Sequence, residues 1–142
     1  MLHKNEIRID DICYFIDKSS NLLYGKVVAL FTDGTVYLED IFNKDADELY
    51  IVNCVDVYYA QINERILLYL GFNKNDKAQY IKIVGDFEII INNKSSTNSI
   101  IKNNSTKEEC VLPYVYSDEE ELTTCHQLCE DIYNITGYYL IE

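Results

Sequence analysis

The sequence predicts an α+β fold, and three observations carry that prediction. The first sixty of its 142 residues break into short β-rich runs separated by turn signals. The stretch "INERILLYLGF" at 62–72 carries helix signals at both ends. Residues 117–137 combine a capping pattern with apolar residues at helical spacing. The chain is the right size for one domain of 1–142, with a β-rich part over 1–60 and a part over 61–142 built from a helix, a hairpin and a final helix.

In order, Ile12 to Ile16 is a continuous apolar run, 18–21 is a polar turn, and Leu22 to Phe31 is a longer strand interrupted at Gly25. Asp33-Gly34 lies between two β-rich runs, where it can supply the positive backbone dihedrals of a tight hairpin. A polar loop over 43–48 precedes Leu49 to Val52 and Val55 to Tyr59. About five strands at this spacing suggest a small curled antiparallel sheet, an SH3-like barrel. Asn63 can cap a two-turn helix that Gly71 ends, with Ile62 and Leu67 spaced as a hydrophobic staple. Gly85-Asp86 signals a second hairpin, with Ile81, Ile83, Ile89 and Ile91 as candidate core. The Asn, Ser and Lys content of 92–107 reads as a loop or a hairpin tip around Ile100-Ile101, and Pro113 marks an extended edge segment over 111–116.

The last helix is predicted to start at a capping box, Ser117 with Glu120, and to stop at Gly137. Its apolar stripe is Leu122, Cys125, Leu128, Cys129, Ile132, Ile135 and Thr136, leaving Gln127, Glu130, Asp131 and Asn134 outside and His126 on the shoulder. Two thiols and an imidazole within five positions raise the question of a metal or redox site. A zinc centre needs three or four converging ligands, and Cys125-x-x-x-Cys129 is not the usual tight turn. The other cysteines, Cys13, Cys54 and Cys110, are scattered singly, so all five read as small hydrophobes of a reducing cytosol. With two histidines, His3 in the terminal stretch, and no glycine-rich phosphate loop, the chain lacks a catalytic constellation. The carboxylate pairs Asp10-Asp11 and Glu39-Asp40 read as solvated surface. The expectation is a non-enzyme without cofactor or metal.

Charge narrows the partners. The net charge is -12, which repels nucleic acid and anionic membrane surfaces and favours a basic protein. The asymmetry is marked: 65–107 holds 7 basic and 3 acidic residues, while 108–142 holds 9 acidic and none basic. The final helix thus becomes an anionic rod with tyrosines on either side. Tyr114, Tyr116, Asp118, Glu119 and Glu121 are the candidate protein-binding residues on this ground. Neither a signal peptide nor a membrane span is read from the sequence, so the expected location is the cytoplasm of the cell that makes it.

"NEIRIDDICYF" at 5–15, "INERILLYLGF" at 62–72 and "HQLCEDIYNITGYYLIE" at 126–142 together resemble a group of small uncharacterised proteins of Bacteroides and related phages and mobile elements. That group looks like NELRIGN, LTEEILLKCGF and HQLQNLYFALTGEEL in the same order. Asp10-Asp11 stand where the group has Gly-Asn, and Cys129 where it has Gln. The resemblance implies a phage or prophage accessory protein with an α+β fold, and no activity; His126 and Gln127 match the group's most recognisable dipeptide and join the candidate protein-binding residues on that ground. The functional expectation is a binder of a bacterial host protein, with defence-system components as one class of target. The alternatives are a protein that sequesters a nucleotide signal, using Arg65, Lys74, Lys77 and Lys82 for phosphates, and a minor virion component.

Overall fold

A computed structural model describes residues 6–43, 48–92, 98–112 and 123–141. The chain is α+β and strand-rich, with two antiparallel five-stranded sheets. Its contacts divide it into two compact units, residues 1–60 and 61–142.

In the first unit the strands are β1 (Ile12–Ile16), β2 (Leu22–Leu30), β3 (Thr35–Asp40), β4 (Tyr50–Asn53) and β5 (Tyr58–Tyr59), in the order β4-β3-β2-β1-β5. The strand predicted at Ile12 to Ile16 is β1 itself. Gly25 does not interrupt β2. It lies inside the strand, where a Cβ would meet the Leu38 Cβ at 2.7 Å, so glycine lets the β2 and β3 backbones close over the core. Cys13, Phe15, Val27, Val36, Leu38, Cys54 and Val57 form that core with Ile7.

The Asp33-Gly34 turn is a three-residue loop rather than a two-residue one. Phe31 N–H donates to Thr35 O at 3.0 Å and Gly34 N–H to Phe31 O at 3.0 Å. Gly34 alone takes the positive dihedral, at φ +93°. The run predicted as a strand over Val55 to Tyr59 is mostly something else: Cys54–Asp56 is a 3₁₀ turn and only Tyr58–Tyr59 pairs. Asn53 accounts for this, because its side chain accepts from Val55 N–H at 3.1 Å and offers the backbone a local bond in place of a ladder.

Ahead of β1, Asp10 has φ +74°. Its N–H donates to Val27 O at 2.8 Å, while Val27 N–H donates to Asp11 O at 2.9 Å, so the turn is pinned to β2 from both sides. The half of the turn made by Asp11 is sealed by its carboxylate, which accepts from Arg8 N–H at 2.7 Å. A tight turn therefore survives the Asp-Asp sequence, with Asp10 in the conformation that glycine adopts without cost.

The second unit begins with α1 (Glu64–Tyr69), capped by Asn63, whose side chain accepts from Ile66 N–H at 2.9 Å. Gly71 at φ +92° ends it, with Phe72 N–H bonded to Leu67 O and Gly71 N–H to Leu68 O, the paired bonds of a Schellman motif. The sheet contains β6 (Asn73–Lys74), β7 (Gln79–Val84), β8 (Phe87–Asn92), β9 (Ile100–Asn103) and β10 (Glu109–Val111), in the order β10-β9-β8-β7-β6.

Gly85-Asp86 is the two-residue hairpin expected, with Val84 opposite Phe87 and Gly85 at φ +55°. That register corrects the predicted core. Ile89 and Ile91 stand opposite Lys82 and Tyr80, whereas Ile81 and Ile83 stand opposite Ile90 and Glu88. The four isoleucines therefore occupy two faces: Ile89 and Ile91 are buried with Tyr80, and Ile83 is 65% exposed. The reading of 92–107 as a loop or a hairpin tip around Ile100-Ile101 is also corrected. The described part of that segment contains β9, paired on both sides, with Ile101 buried; residues 93–97 lie outside the described residues. Asn103 closes the following turn by accepting from Ser105 N–H at 2.9 Å and Thr106 N–H at 3.2 Å. The edge segment predicted around Pro113 begins as β10, and Pro113 itself is outside the described residues. Among the described residues, no helix is long and apolar enough to cross a membrane.

Backbone geometry gives two substitutions of opposite sign. Gly25→Ala should destabilise by about 1–3 kcal/mol, because its methyl meets Leu38. Asp10→Gly should leave stability unchanged or raise it by up to about 1 kcal/mol, since the left-handed strain is relieved while the unfolded chain gains freedom. Urea unfolding of both variants checks the pair, and a stable Gly25→Ala would refute the packing account.

A titration follows from β3 and β4. Tyr50 donates to Asp40 Oδ2 at 2.6 Å, and this hydrogen bond to a carboxylate, helped by burial, pushes the phenol up to about 12. The fold holds the protonated phenol. The stabilisation is full below the ordinary phenol pKa of about 10 and is lost as pH rises through about 12. Burial, with the charge of Asp11, also pushes the Tyr59 phenol up to about 12, so ultraviolet titration should show more than one late tyrosine, of which Asp40→Asn moves one earlier.

Candidate protein-binding surface

The predicted site centres on the last helix, α2, which spans Cys125–Thr136. Thr124, not Ser117, is its cap: the Thr124 hydroxyl accepts from Gln127 N–H at 3.1 Å, and Thr124 itself has extended backbone angles. The helix is thus a turn or more shorter than the sequence suggested. The segment before it pairs instead with the start of this unit, through Ile62 N–H to Thr123 O at 3.0 Å and a bridge between Gln61 and Thr124. Gly137 at φ +78° ends the helix as expected, its N–H bonded to Tyr133 O at 2.7 Å.

Cys125, Leu128 and Ile132 are buried, which sets the inner face of α2. The predicted stripe is narrower in fact. Cys129 and Thr136 are only half-buried, Ile135 is 38% exposed, and Leu122 lies outside the described residues. The two thiols are not joined as a disulfide: Cys125 Sγ lies 4.0 Å from Cys129 Sγ, about twice the length of a disulfide bond. Elsewhere, burial together with the charge of Asp11 pushes the Cys13 thiol far above its ordinary range.

The outer face carries paired side chains one turn apart. His126 Nε2 lies 3.3 Å from Glu130 Oε2, an ion pair whenever the imidazole is protonated. Gln127 Nε2 donates to Asp131 Oδ1 at 2.9 Å. His126 is half-buried on the shoulder and Gln127 is exposed, as the periodicity implied, and each holds a carboxylate in a set direction. Asp131 departs from the sequence reading, being half-buried rather than fully outside.

Sequence reasoning missed how the chain after the helix returns to it. The Tyr133 and Tyr139 rings stack at 4.2 Å with 14° between planes, although Tyr139 is 69% exposed. A hydrogen bond to Tyr133, followed by that phenol's charge, holds the Tyr139 phenol above its ordinary value. Tyr138 turns the other way, its ring edge against Phe87 and its hydroxyl over Gly85, where any Cβ would collide. The only advance signal was the aromatic doublet itself. Tyr114, Tyr116, Asp118, Glu119 and Glu121 lie outside the described residues.

The four basic residues named for a nucleotide take separate tasks where their contacts are seen. Lys74 pairs with Glu64 at 3.2 Å and sits 5.7 Å from the centre of the Tyr80 ring. Lys82 donates to Leu70 O at 2.5 Å, at the end of α1, and of the four it alone lines an open cavity of about 320 Å³ with Gly71 and Leu140. Comparison with family models, curated proteins and solved structures yields no match.

Thiol chemistry tests these placements. Iodoacetamide on the native chain should modify exposed Cys110 first and Cys129 more slowly, sparing Cys13, Cys54 and Cys125 until unfolding. Cys125→Ala should cost about 1 kcal/mol and Cys129→Ala less. Early alkylation of Cys125 would contradict the buried inner face.

Proposed function

We propose that this chain is a non-enzymatic accessory protein of phage or prophage origin that binds a basic bacterial host protein in the host cytoplasm through the outer face of α2. The observation that carries the reading is the exposed combination of an oriented carboxylate, Glu130, with the stacked Tyr133–Tyr139 pair, in a segment that has 9 acidic and no basic side chains. Tyrosine gives contact area at little entropy cost, and preset carboxylates steer a cationic partner. The resemblance to phage-encoded proteins of Bacteroides supports the provenance, and a host defence component is one class of target for such a binder.

The finer reading of the first unit is an open relative of the SH3-like barrel. The order β4-β3-β2-β1-β5 and the 3₁₀ turn before the last strand support it, while β4 and β5 remain edges rather than closing on each other.

Immobilised chain should retain a basic protein from a Bacteroides lysate at low salt and release it at high salt. Glu130→Lys combined with Tyr139→Ala, both at exposed positions, should keep its circular dichroism and reduce retention by about fivefold or more. Retention that ignores both salt and the double variant would sink the proposal.

A further inference from the structure

The first unit holds a groove that the reading above does not use. It is an open cavity of about 480 Å³ between the ends of β1 and β5 on one side and β4 on the other. Phe15 and Val52 are among the residues that line it, and Phe15 belongs to the buried core. Its lining also includes three large apolar side chains that water reaches: Ile51 is 67% exposed, Ile16 is 61% and Tyr58 is 39%.

Two properties of this groove point to its occupant. The first is backbone chemistry. β4 and β5 are the two ends of the strand order, and both contribute to the groove. Alternate residues of an edge strand aim their N–H and C=O groups away from the sheet, and natural edges are commonly blunted by lysine, proline or a bulge. The segment Glu48-Leu49-Tyr50-Ile51-Val52-Asn53 has neither lysine nor proline, and the one irregularity in this sheet's pairing falls between β2 and β3. Among the described residues, β4 thus carries none of these three guards and can template a further strand.

The second property is charge. Among the described residues, Asp17 and Asp56 line the groove with one cation, Lys18. Asp17 is fixed in place by accepting from Ser19 N–H at 2.9 Å and Asn21 N–H at 2.8 Å, bonds that hold its carboxyl below the usual range and keep it ionised. Residues 1–60 as a whole carry 11 acidic against 5 basic side chains. A second copy of this chain, itself at -12, would bring like charge to the same place.

We propose that this groove binds an extended segment of a partner protein in which apolar and basic side chains alternate, added to β4 as a sixth strand. Its backbone would pair with the edge of β4. One set of its side chains would lie toward Ile51 and Tyr58, and the cationic set toward Asp17 and Asp56. This site is in a different unit from α2 and stands whether or not the α2 surface binds anything.

The test uses the full chain and two synthetic probes, an acetylated and amidated (Val-Lys)4 peptide and its (Val-Glu)4 counterpart, followed by two-dimensional NMR. The lysine peptide should bind saturably and shift the amides of Ile51 to Asn53 and Tyr58. Its affinity should exceed that of the glutamate peptide by about tenfold or more at low salt. Ile51→Lys, at an exposed position, should abolish the shifts while leaving the rest of the spectrum in place, and Asp56→Asn should weaken binding severalfold. Glu130→Lys should leave the peptide affinity unchanged, which separates this site from α2. The inference is overturned if the lysine peptide does not bind, if the glutamate peptide binds as well, or if Ile51→Lys binds normally. It is equally overturned if sedimentation shows a dimer that Ile51→Lys dissolves, because the occupant is then a second copy.

Discussion

Strand register, set by a handful of turn residues, is the constraint from which both units follow. In the second unit, two residues between Val84 and Phe87 decide that position 80 faces 91 and position 81 faces 90. With side chains alternating at every step, one extra residue in that turn would exchange the buried isoleucines for the exposed ones. In the first unit the three-residue loop closed by Phe31 and Thr35 does the same for β2 and β3. The shift in pairing between Val27 and Ala29 then lets the long β2 bend, so that a single strand pairs with β1 at one end and β3 at the other.

Much of this was legible because turn chemistry is local. Ile12–Ile16, the Asn63 cap, the Gly71 stop and the Gly85-Asp86 hairpin all depend on residues within a few positions of one another. What the sequence hid depends on counting or on competition. Alternation within each strand picks out Ile81, Ile83, Ile89 and Ile91, whereas register parity across the hairpin sends Ile83 outward. β9 was hidden because its flanks are Asn and Ser, yet those residues bond the backbone: Ser99 Oγ accepts from Asn92 N–H at 3.1 Å and Asn92 Nδ2 donates to Asn98 O at 2.7 Å. Polar composition there serves strand pairing instead of a loop.

The candidate surface was legible in part for the same reason. Helical periodicity placed His126 on the shoulder and Gln127 outside, because both follow from angles around one helix. The start of the helix was misplaced, since a capping box and a single threonine are both valid caps and only the pairing of Thr124 with Gln61 separates them. The return of Tyr139 onto Tyr133 depends on a left-handed Gly137 and on Thr136, whose hydroxyl donates to Ile132 O and accepts from Tyr138 N–H. No periodic pattern encodes such a reversal.

The left-handed residue at position 10 bears on how kinship among such chains should be interpreted. A turn pinned to β2 by two backbone bonds favours at that site the residues that tolerate positive φ most readily, glycine, asparagine and aspartate. Over evolutionary time the position can drift among those three types while the hydrogen-bonded turn stays the same. An invariant aspartate there in some lineages would look like a catalytic or metal-binding acid. It would instead record a steric filter on the backbone, indifferent to whatever the protein binds.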